Sequence, residues 1–334
     1  MKEKTSEYFR FIETQLVHPE QLVRSEAARL LGEIQDRRAV PGLVKMLRSD
    51  RRHSKINAIY ALSQIGDKRA IPVLLEMAED PGVFDFSGFY NHDMIRIAAA
   101  LALALFEDAR GVDKVSDLFR LEVGDAFVQL APWISSLPFN EYTQLFKNRI
   151  SLDFLLLQCP KGEASSAARI VESLGYYPAG KSAERIRKYL DHPSRYIRAT
   201  AAEALWRCEP SKGTLRILKN RFQKEQAVFT KMKLALLLAP AGAGKIYREC
   251  LLAGLSDDDY FIRATACDDL RLLRDPQAVP AIGKCLVDKS FYVRLCAIEA
   301  LEELSSRDVR SDIERLLIDH NIRVRMQAAK FLIR

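Results

Sequence analysis

Three aspartates stand thirty-one residues apart, and an arginine follows each of them six residues later. The aspartates are Asp257, Asp288 and Asp319, and the arginines are Arg263, Arg294 and Arg325. The surrounding segments repeat one phrase: DDDYFIRATACDDL, DKSFYVRLCAIEAL and DHNIRVRMQAAKFL. A period of this length predicts a stack of copies of one small structural unit.

Further copies of the phrase occur around Arg24, Lys55, Arg96 and Arg198. When the basic residue is counted as position zero, apolar residues or alanine fall at −1, +3, +4, +7 and +10 in most copies. At 100° per residue these positions lie on one face, so each copy predicts an amphipathic helix.

Another helical segment precedes each copy, as in RRAVPGLVKML and QAVPAIGKCL. Pro41, Pro72 and Pro280 lie near the start of this segment, where a missing backbone N–H costs nothing. The unit is therefore predicted to be two antiparallel helices, with an aspartate in the turn that can cap the second helix. About ten such pairs would fill the 334 residues.

Paired helices with a turn aspartate and a V-R-x-x-A-A-x-A-L phrase resemble HEAT repeats. The thirty-one-residue period and the D-x-x-A-V/I-P-x-L phrase are similar to the short subgroup known from phycobilisome bilin lyases. The resemblance covers residues 18–108 and 180–334 and implies an all-α, right-handed α-solenoid. It also implies that the three aspartates and three arginines named above form a hydrogen-bonded ladder between successive repeats.

The pattern divides the chain into three parts of one continuous solenoid. Residues 1–124 are expected to form a first array with an aromatic insertion at 81–92, and residues 179–334 a second array. Residues 125–178 are expected to be irregular helices, because Val128 replaces the basic residue and Pro132 interrupts the helix.

Composition favours a cytoplasmic protein without a transmembrane segment. Hydrophobic residues make up 48% of the chain, and the longest apolar run, Ile97–Phe106, is too short to cross a bilayer. The amino-terminal segment has no secretory pattern, and the six cysteines include no C-x-x-C pair. They are interpreted as small buried residues in a reducing compartment.

Positive charge is concentrated in the second half of the chain. Residues 168–334 hold 30 Lys and Arg against 21 Asp and Glu, whereas residues 1–167 hold 21 against 23. The predicted basic patch consists of Arg185, Lys188, Lys212, Arg216, Lys219, Arg221 and Lys224. Such a patch could hold phosphates or an acidic partner, or could be an ordinary solvated face.

The second helices of a HEAT-like stack are expected to line its concave side, and the early copies place apolar and aromatic residues there. The predicted partner-binding groove consists of Arg29, Ile56, Tyr60, Ile97, Leu101, Leu105 and Trp133, with Phe84, Phe86, Phe89 and Tyr90 from the insertion. The insertion could instead fold over the second helix of the third unit, around Arg96, and bury its own aromatic side chains there.

Signals for catalysis or for a cofactor are weak. No His-Glu pair of the kind used by metal-dependent HEAT hydroxylases occurs, and APAGAGKIY lacks the glycine spacing and the Ser/Thr of a phosphate loop. We therefore expect no cofactor and no metal, and the sequence favours a binding role over enzymatic activity.

Three functional hypotheses remain open from the sequence. The first is a non-catalytic adaptor that binds a peptide or helix of a protein partner in the concave groove. The second, implied by the resemblance, is the handling of a bilin in an apolar groove near Arg29, Lys55 and Arg96. The third is nucleic-acid binding of the HEAT-like DNA glycosylase type, which the misplaced basic patch disfavours.

Overall fold

The structure is a computed structural model. It describes residues 2–49, 52–79, 90–108, 164–177, 179–241, 244–304 and 309–333. Within these ranges the regular secondary structure is helical throughout, as the sequence predicted. The predicted boundaries at 124 and 178 lie outside the described residues, so the three-part division stays a prediction.

The chain divides into two compact units, each with its own helices. Unit 1 is Met1–Ser151 with Leu332–Arg334, and unit 2 is Leu152–Phe331. The described helices of unit 1 are α1 (Lys2–Thr14), α2 (Gln21–Ile34), α3 (Val40–Ser49), α4 (Arg52–Ile65), α5 (Ile71–Glu79) and α6 (Tyr90–Leu105).

Unit 2 continues the alternation of shorter and longer helices. Its described helices are α7 (Ala164–Leu174), α8 (Lys181–Tyr189), α9 (Arg195–Cys208), α10 (Lys212–Lys224), α11 (Val228–Leu238), α12 (Gly244–Gly254), α13 (Tyr260–Leu273), α14 (Val279–Lys284), α15 (Phe291–Glu303), α16 (Arg310–Arg315) and α17 (Ile322–Ile333). Short 3-10 turns extend several of the shorter helices, as at Pro276–Ala278 and Cys285–Val287.

Each helical hairpin contributes one helix to each of two layers. We call the helices that carry the repeated phrase second helices: α2, α4, α6, α9, α11, α13, α15 and α17. The first seven each pack against the preceding first helix, and consecutive ones within a unit pack against each other. Small residues at +3 and +4, such as Ala27, Ala28, Ala201 and Ala202, are fully buried and permit this close packing.

Backbones approach most closely where a glycine faces an alanine. A Cβ placed on Gly32 of α2 would lie 2.7 Å from the Cα of Ala61 on α4. A Cβ on Gly175, just after α7, would lie 2.7 Å from the Cα of Ala204 on α9. These two glycines are therefore required by the spacing of neighbouring second helices.

Arginine–aspartate pairs connect successive hairpins of unit 2. Arg263 donates from Nε and Nη2 to the Asp288 carboxylate at 2.7 and 2.9 Å, and Arg294 donates in the same way to Asp319 at 2.8 Å for both bonds. Arg263 Nη1 also donates to the carbonyl of Asp257 in its own turn, at 2.7 Å. Each arginine thus fastens its own turn and the next one.

The ends of this series differ from its middle. Asp257 accepts from the amide of Asp259 in its turn, and Arg325 donates to the carbonyl of Asp319. Arg198 pairs with Glu225 through bonds of 2.9 and 2.8 Å, so a glutamate takes the place of the aspartate one step earlier. The motif arranged around Asp257, Asp288 and Asp319 is therefore part of a longer series.

The turn aspartates accept backbone hydrogen bonds within the turn that precedes the second helix, and they are not the residues that cap this helix. Asp288 accepts from the amide of Ser290, and Asp319 accepts from the amide of Asn321. Asp259 is the residue whose carboxylate caps α13, through the amide of Phe261. In this hairpin the helix is therefore capped by Asp259, two positions after Asp257, and not by Asp257 itself.

Among the described helices, none is long and apolar enough to cross a membrane.

Candidate functional site

Two residues of the predicted groove in unit 1 are not accessible to a partner. Ile97 and Leu101 on α6 are both fully buried, with no exposed surface. The expectation that they add an accessible apolar stripe is therefore wrong, and the side chains contribute to the core instead. Helix α6 is apolar on every face because it is enclosed on every face at these positions.

The remaining described groove residues of unit 1 offer little apolar surface. Tyr60 is 38% exposed, whereas Ile56 and Leu105 are half-buried. Arg29 forms ion pairs with Glu26 and Glu33 on its own helix. A single exposed aromatic ring is a weak anchor for a partner.

Several predicted groove residues lie outside the part of the chain that the structure describes. These are Phe84, Phe86, Phe89 and Trp133, and for Tyr90 only the helical backbone is described. The expected aromatic insertion and its alternative as a lid remain predictions.

The predicted basic patch lies on the first helices α8 and α10 of unit 2. Lys188, Lys212, Arg216 and Lys224 are exposed, and Arg185, Lys219 and Arg221 are half-buried. Arg221 forms an ion pair with Asp191 and thereby lowers the pKa of that carboxyl. The patch remains a proposed surface for an anionic partner.

A row of aromatic side chains crosses the second helices of unit 2 near their amino-terminal ends. Four of these side chains share position −2 when Arg198, Lys231, Arg263 and Arg294 are counted as position zero. They are Tyr196, Phe229, Phe261 and Tyr292, on four successive second helices. Ring centroids lie 5.0 Å apart for Tyr196 and Phe229 and 5.6 Å apart for Phe229 and Phe261. Tyr260 at position −3 stacks on Tyr292 at 6.1 Å, so we call these five residues the aromatic row.

The aromatic row is accessible over most of its length. The exposed fractions are 44% for Tyr196, 39% for Phe261, 49% for Tyr260 and 42% for Tyr292. Contacting exposed aromatic rings on adjacent elements form a contiguous apolar patch, which on a protein surface indicates a binding site.

Cationic side chains of the protein itself lie over the rings of this row. The Arg195 guanidinium is 4.9 Å from the ring centroid of Tyr196, and that of Arg323 is 5.6 Å from the ring of Tyr292. The Lys233 ammonium is 5.9 Å from the ring of Phe229. The electron-rich ring faces of the row therefore attract cations in this geometry.

Lys233 also forms a buried ion pair beside the row. Its Nζ is 2.6 Å from Oδ1 of Asp269, whose side chain is completely buried, and Lys233 itself is 17% exposed. Oδ2 of Asp269 has no hydrogen-bond partner. Burial raises the pKa of Asp269 to about 6 although Lys233 lowers it, and Glu203 and Asp268 raise it further.

Two further carboxylates flank this pair on the same face. Glu203 on α9 and Asp268 on α13 both occupy position +5 of their helices, on either side of Lys233 on α11. Burial raises the pKa of both carboxyls, and Lys233 lowers both. Asp268 is also 3.5 Å from Arg271 Nε. We call Glu203, Asp268 and Asp269 the carboxylate cluster.

The aromatic row is the site feature that the sequence reasoning missed. The signal is present, because the residues before the basic position read SRYIR, AVFTK, DYFIR and SFYVR in successive copies. The predicted groove is built instead on position +5, where three early copies carry Tyr60, Leu101 and Trp133. In unit 2 that position carries the acidic residues Glu203, Asp268 and Glu299 instead.

Among the described residues, no group of three or more His, Cys, Asp or Glu side chains has a geometry that could hold a metal ion.

Comparison with known families identifies the repeats. The family model described as HEAT repeats matches residues 10–85 and 249–333. The second range contains the Arg263–Asp288 and Arg294–Asp319 pairs. A search of curated protein sequences gave no match.

Solved structures with similar folds are distant in sequence. An engineered protein from the Northeast Structural Genomics Consortium is 17% identical (TM-score 0.32), and the alignment covers 97% of this chain and 98% of that one. Human deoxyhypusine hydroxylase in complex with glycerol is 19% identical, with a TM-score of 0.33, and the alignment covers 98% of this chain and 96% of that one. The complex of CpcE and CpcF of phycocyanin lyase from Nostoc sp. PCC7120 is 20% identical, with a TM-score of 0.28, and the alignment covers 91% of each chain. With TM-scores below 0.5, these likenesses carry no argument about ligand or activity.

Proposed function

The HEAT-repeat family model matches two stretches of this chain, residues 10–85 and 249–333, and from that premise we propose that the chain is a non-catalytic scaffold that binds a peptide segment of a protein partner. HEAT repeats commonly mediate protein interactions. The binding surface is the second-helix face of unit 2, centred on the aromatic row.

The observation that carries the proposal is the repetition of exposed aromatic residues at one register position. Packing explains the buried positions of each repeat, but three of the four rings at position −2 are exposed, and an exposed ring contributes little to packing. Aromatic residues are the side chains that most often anchor protein interfaces, since they bury large area at a small cost in conformational entropy.

The proposal transfers the predicted adaptor function from unit 1 to unit 2. In unit 1, Ile97 and Leu101 are buried, and Tyr60 is the exposed aromatic residue of the described groove set. In unit 2, the rings contact one another and are open to solvent. A partner can therefore bury more aromatic surface on the aromatic row than on the described groove residues of unit 1.

We expect the variant Tyr196→Ser/Phe261→Ser/Tyr292→Ser to lose peptide binding while it keeps its fold. Peptides are first selected on the wild-type chain from a random phage-displayed library, and their affinities are then measured by fluorescence anisotropy. Because aromatic anchors each contribute on the order of 1 kcal/mol or more, affinity should fall about 100-fold. Helicity and melting temperature should change little, since the three side chains are partly exposed.

The matched control is Val287→Ser/Ile318→Ser. These apolar side chains are 86% and 87% exposed in turns of the same unit but lie outside the aromatic row. The control should bind the selected peptides as the wild type does. Equal affinity of the wild type and the triple variant, or failure to select any peptide that prefers the wild type, contradicts the proposal.

A further inference from the structure

We infer that the peptide segment is basic, and that a lysine or arginine side chain of the partner lies between the aromatic row and the carboxylate cluster of unit 2. The inference rests on the proposed function, because it names the chemistry of the partner for the same face. It is argued from an internal cation, from an unpaired buried oxygen and from the distribution of charge.

Lys233 shows how this face holds a cation. Its ammonium lies 2.6 Å from the Asp269 carboxylate and 5.9 Å from the centroid of the Phe229 ring. A carboxylate and a ring face both attract an ammonium or guanidinium group in a partly desolvated site. Phe261 and Asp268 add an exposed ring and a further carboxylate on α13, the helix that carries Asp269.

Lys233 donates to one oxygen of Asp269 and leaves the other without a hydrogen bond. Oδ2 of Asp269 is fully buried and has no hydrogen-bond partner, although other second helices place alanine at this register, as at Ala204 and Ala300. A buried carboxylate oxygen without a hydrogen bond is costly. A cation of the partner beside the cluster would offset part of this cost.

Glu203 and Asp268 are the carboxylates to which that cation would bind. Both occupy position +5 of their helices, and the side chain of Asp268 is 39% exposed. The cations that already act on them are Lys233 for both, Arg207 for Glu203 and Arg271 for Asp268. Arg207 also lies over the ring of Tyr176, and Arg271 also pairs with Glu303.

Carboxylates recur at one register position on the second helices of unit 2. Glu203, Asp268 and Glu299 occupy position +5 of α9, α13 and α15, whereas the exposed cations Lys188, Lys212 and Arg216 lie on the first helices α8 and α10. A basic peptide is therefore complementary to the carboxylates at position +5, whereas an acidic peptide is complementary to the exposed cations of α8 and α10.

The test uses three fluorescein-labelled peptides of equal length, with leucine alternating with arginine, glutamine or glutamate. The arginine peptide should bind the wild-type chain at least about 10-fold more tightly than the glutamine peptide, and the glutamate peptide should bind most weakly. In Glu203→Gln/Asp268→Asn, the arginine peptide should bind no more tightly than the glutamine peptide. The affinity of the glutamine peptide itself should not change.

The control Glu249→Gln/Asp312→Asn removes the same net charge from the first helices α12 and α16 and should keep the preference for arginine. Equal binding of the arginine and glutamine peptides, preference for the glutamate peptide, or no detectable binding of the arginine peptide overturns the inference. If the arginine and glutamine peptides bind equally and the Tyr196→Ser/Phe261→Ser/Tyr292→Ser variant loses both, the proposed function stands and only the basic partner is rejected.

Discussion

Replacement of Arg263 by alanine is expected to destabilise the α13–α15 region by about 3 kcal/mol. The side chain is 7% exposed and forms two hydrogen bonds with Asp288, which is 13% exposed. Its loss leaves that carboxylate without its cation and frees the carbonyl groups of Asp257 and Asp258, to which Arg263 also donates. Breaking a buried ion pair by removing one partner is among the more costly single substitutions.

The effect should be local, since each hairpin of a repeat array contacts only its neighbours. Native-state hydrogen exchange should show amide exchange in α13 and α15 faster by about two orders of magnitude. Arg263→Lys should recover only part of the loss, because an ammonium lacks the guanidinium fork. The control Arg216→Ala, at an exposed position of α10, should change exchange little. Equal exchange in Arg263→Ala and the control contradicts a role for the ladder.

Lys233→Ala is expected to destabilise the chain by about 3–5 kcal/mol at pH 7.5, because it leaves a completely buried Asp269 without its cation. The double variant Lys233→Thr/Asp269→Ala introduces the residue types of neighbouring repeats, Thr200 and Thr265 at one register and Ala204 and Ala300 at the other. Its stability should lie within about 1 kcal/mol of the wild type, or above it. Urea unfolding measures both.

The pKa of Asp269 determines how the stability loss in Lys233→Ala changes with pH. The pKa of Asp269 in the folded chain, about 6, is above its ordinary value of 3.8, so the folded state binds more protons between these values. The contribution of this group to stability is therefore fully present below pH 3.8 and is lost as the pH rises through 6. Without Lys233 the pKa rises further, so Lys233→Ala should be less damaging at pH 5 than at pH 7.5. An equal loss at both values, or a double variant as unstable as the single one, contradicts this account.

The architecture could be predicted from the sequence because it depends on local and repeated features. The register that places small residues such as Ala27 and Ala201 against a neighbouring helix follows from the 3.6-residue period. The pairing of Arg263 with the aspartate of the following hairpin came from the resemblance to HEAT repeats. The pairing of Arg198 with Glu225 could not be predicted in this way. These two residues are 27 positions apart, whereas Arg263 and Asp288 are 25 apart, and the regular period does not indicate the longer separation.

The site was harder to predict because exposure depends on neighbouring hairpins. Leu101 and Tyr60 share register +5, yet Leu101 is fully buried and Tyr60 is 38% exposed. A helical pattern indicates which residues share a face, but it does not indicate how much of that face is covered. For the same reason, the exposure of Tyr196 and Phe261 at position −2 was not evident from their spacing.

Photo-crosslinking tests most directly whether the partner binds the aromatic row of unit 2. A peptide selected on the wild-type chain is synthesised with a benzophenone side chain, irradiated in complex with the full chain, and its attachment sites are identified by mass spectrometry. We expect crosslinks at the amino-terminal ends of α9, α11, α13 and α15, and their loss in Tyr196→Ser/Phe261→Ser/Tyr292→Ser. Crosslinks concentrated around Tyr60 in unit 1, unchanged in that variant, would contradict the account.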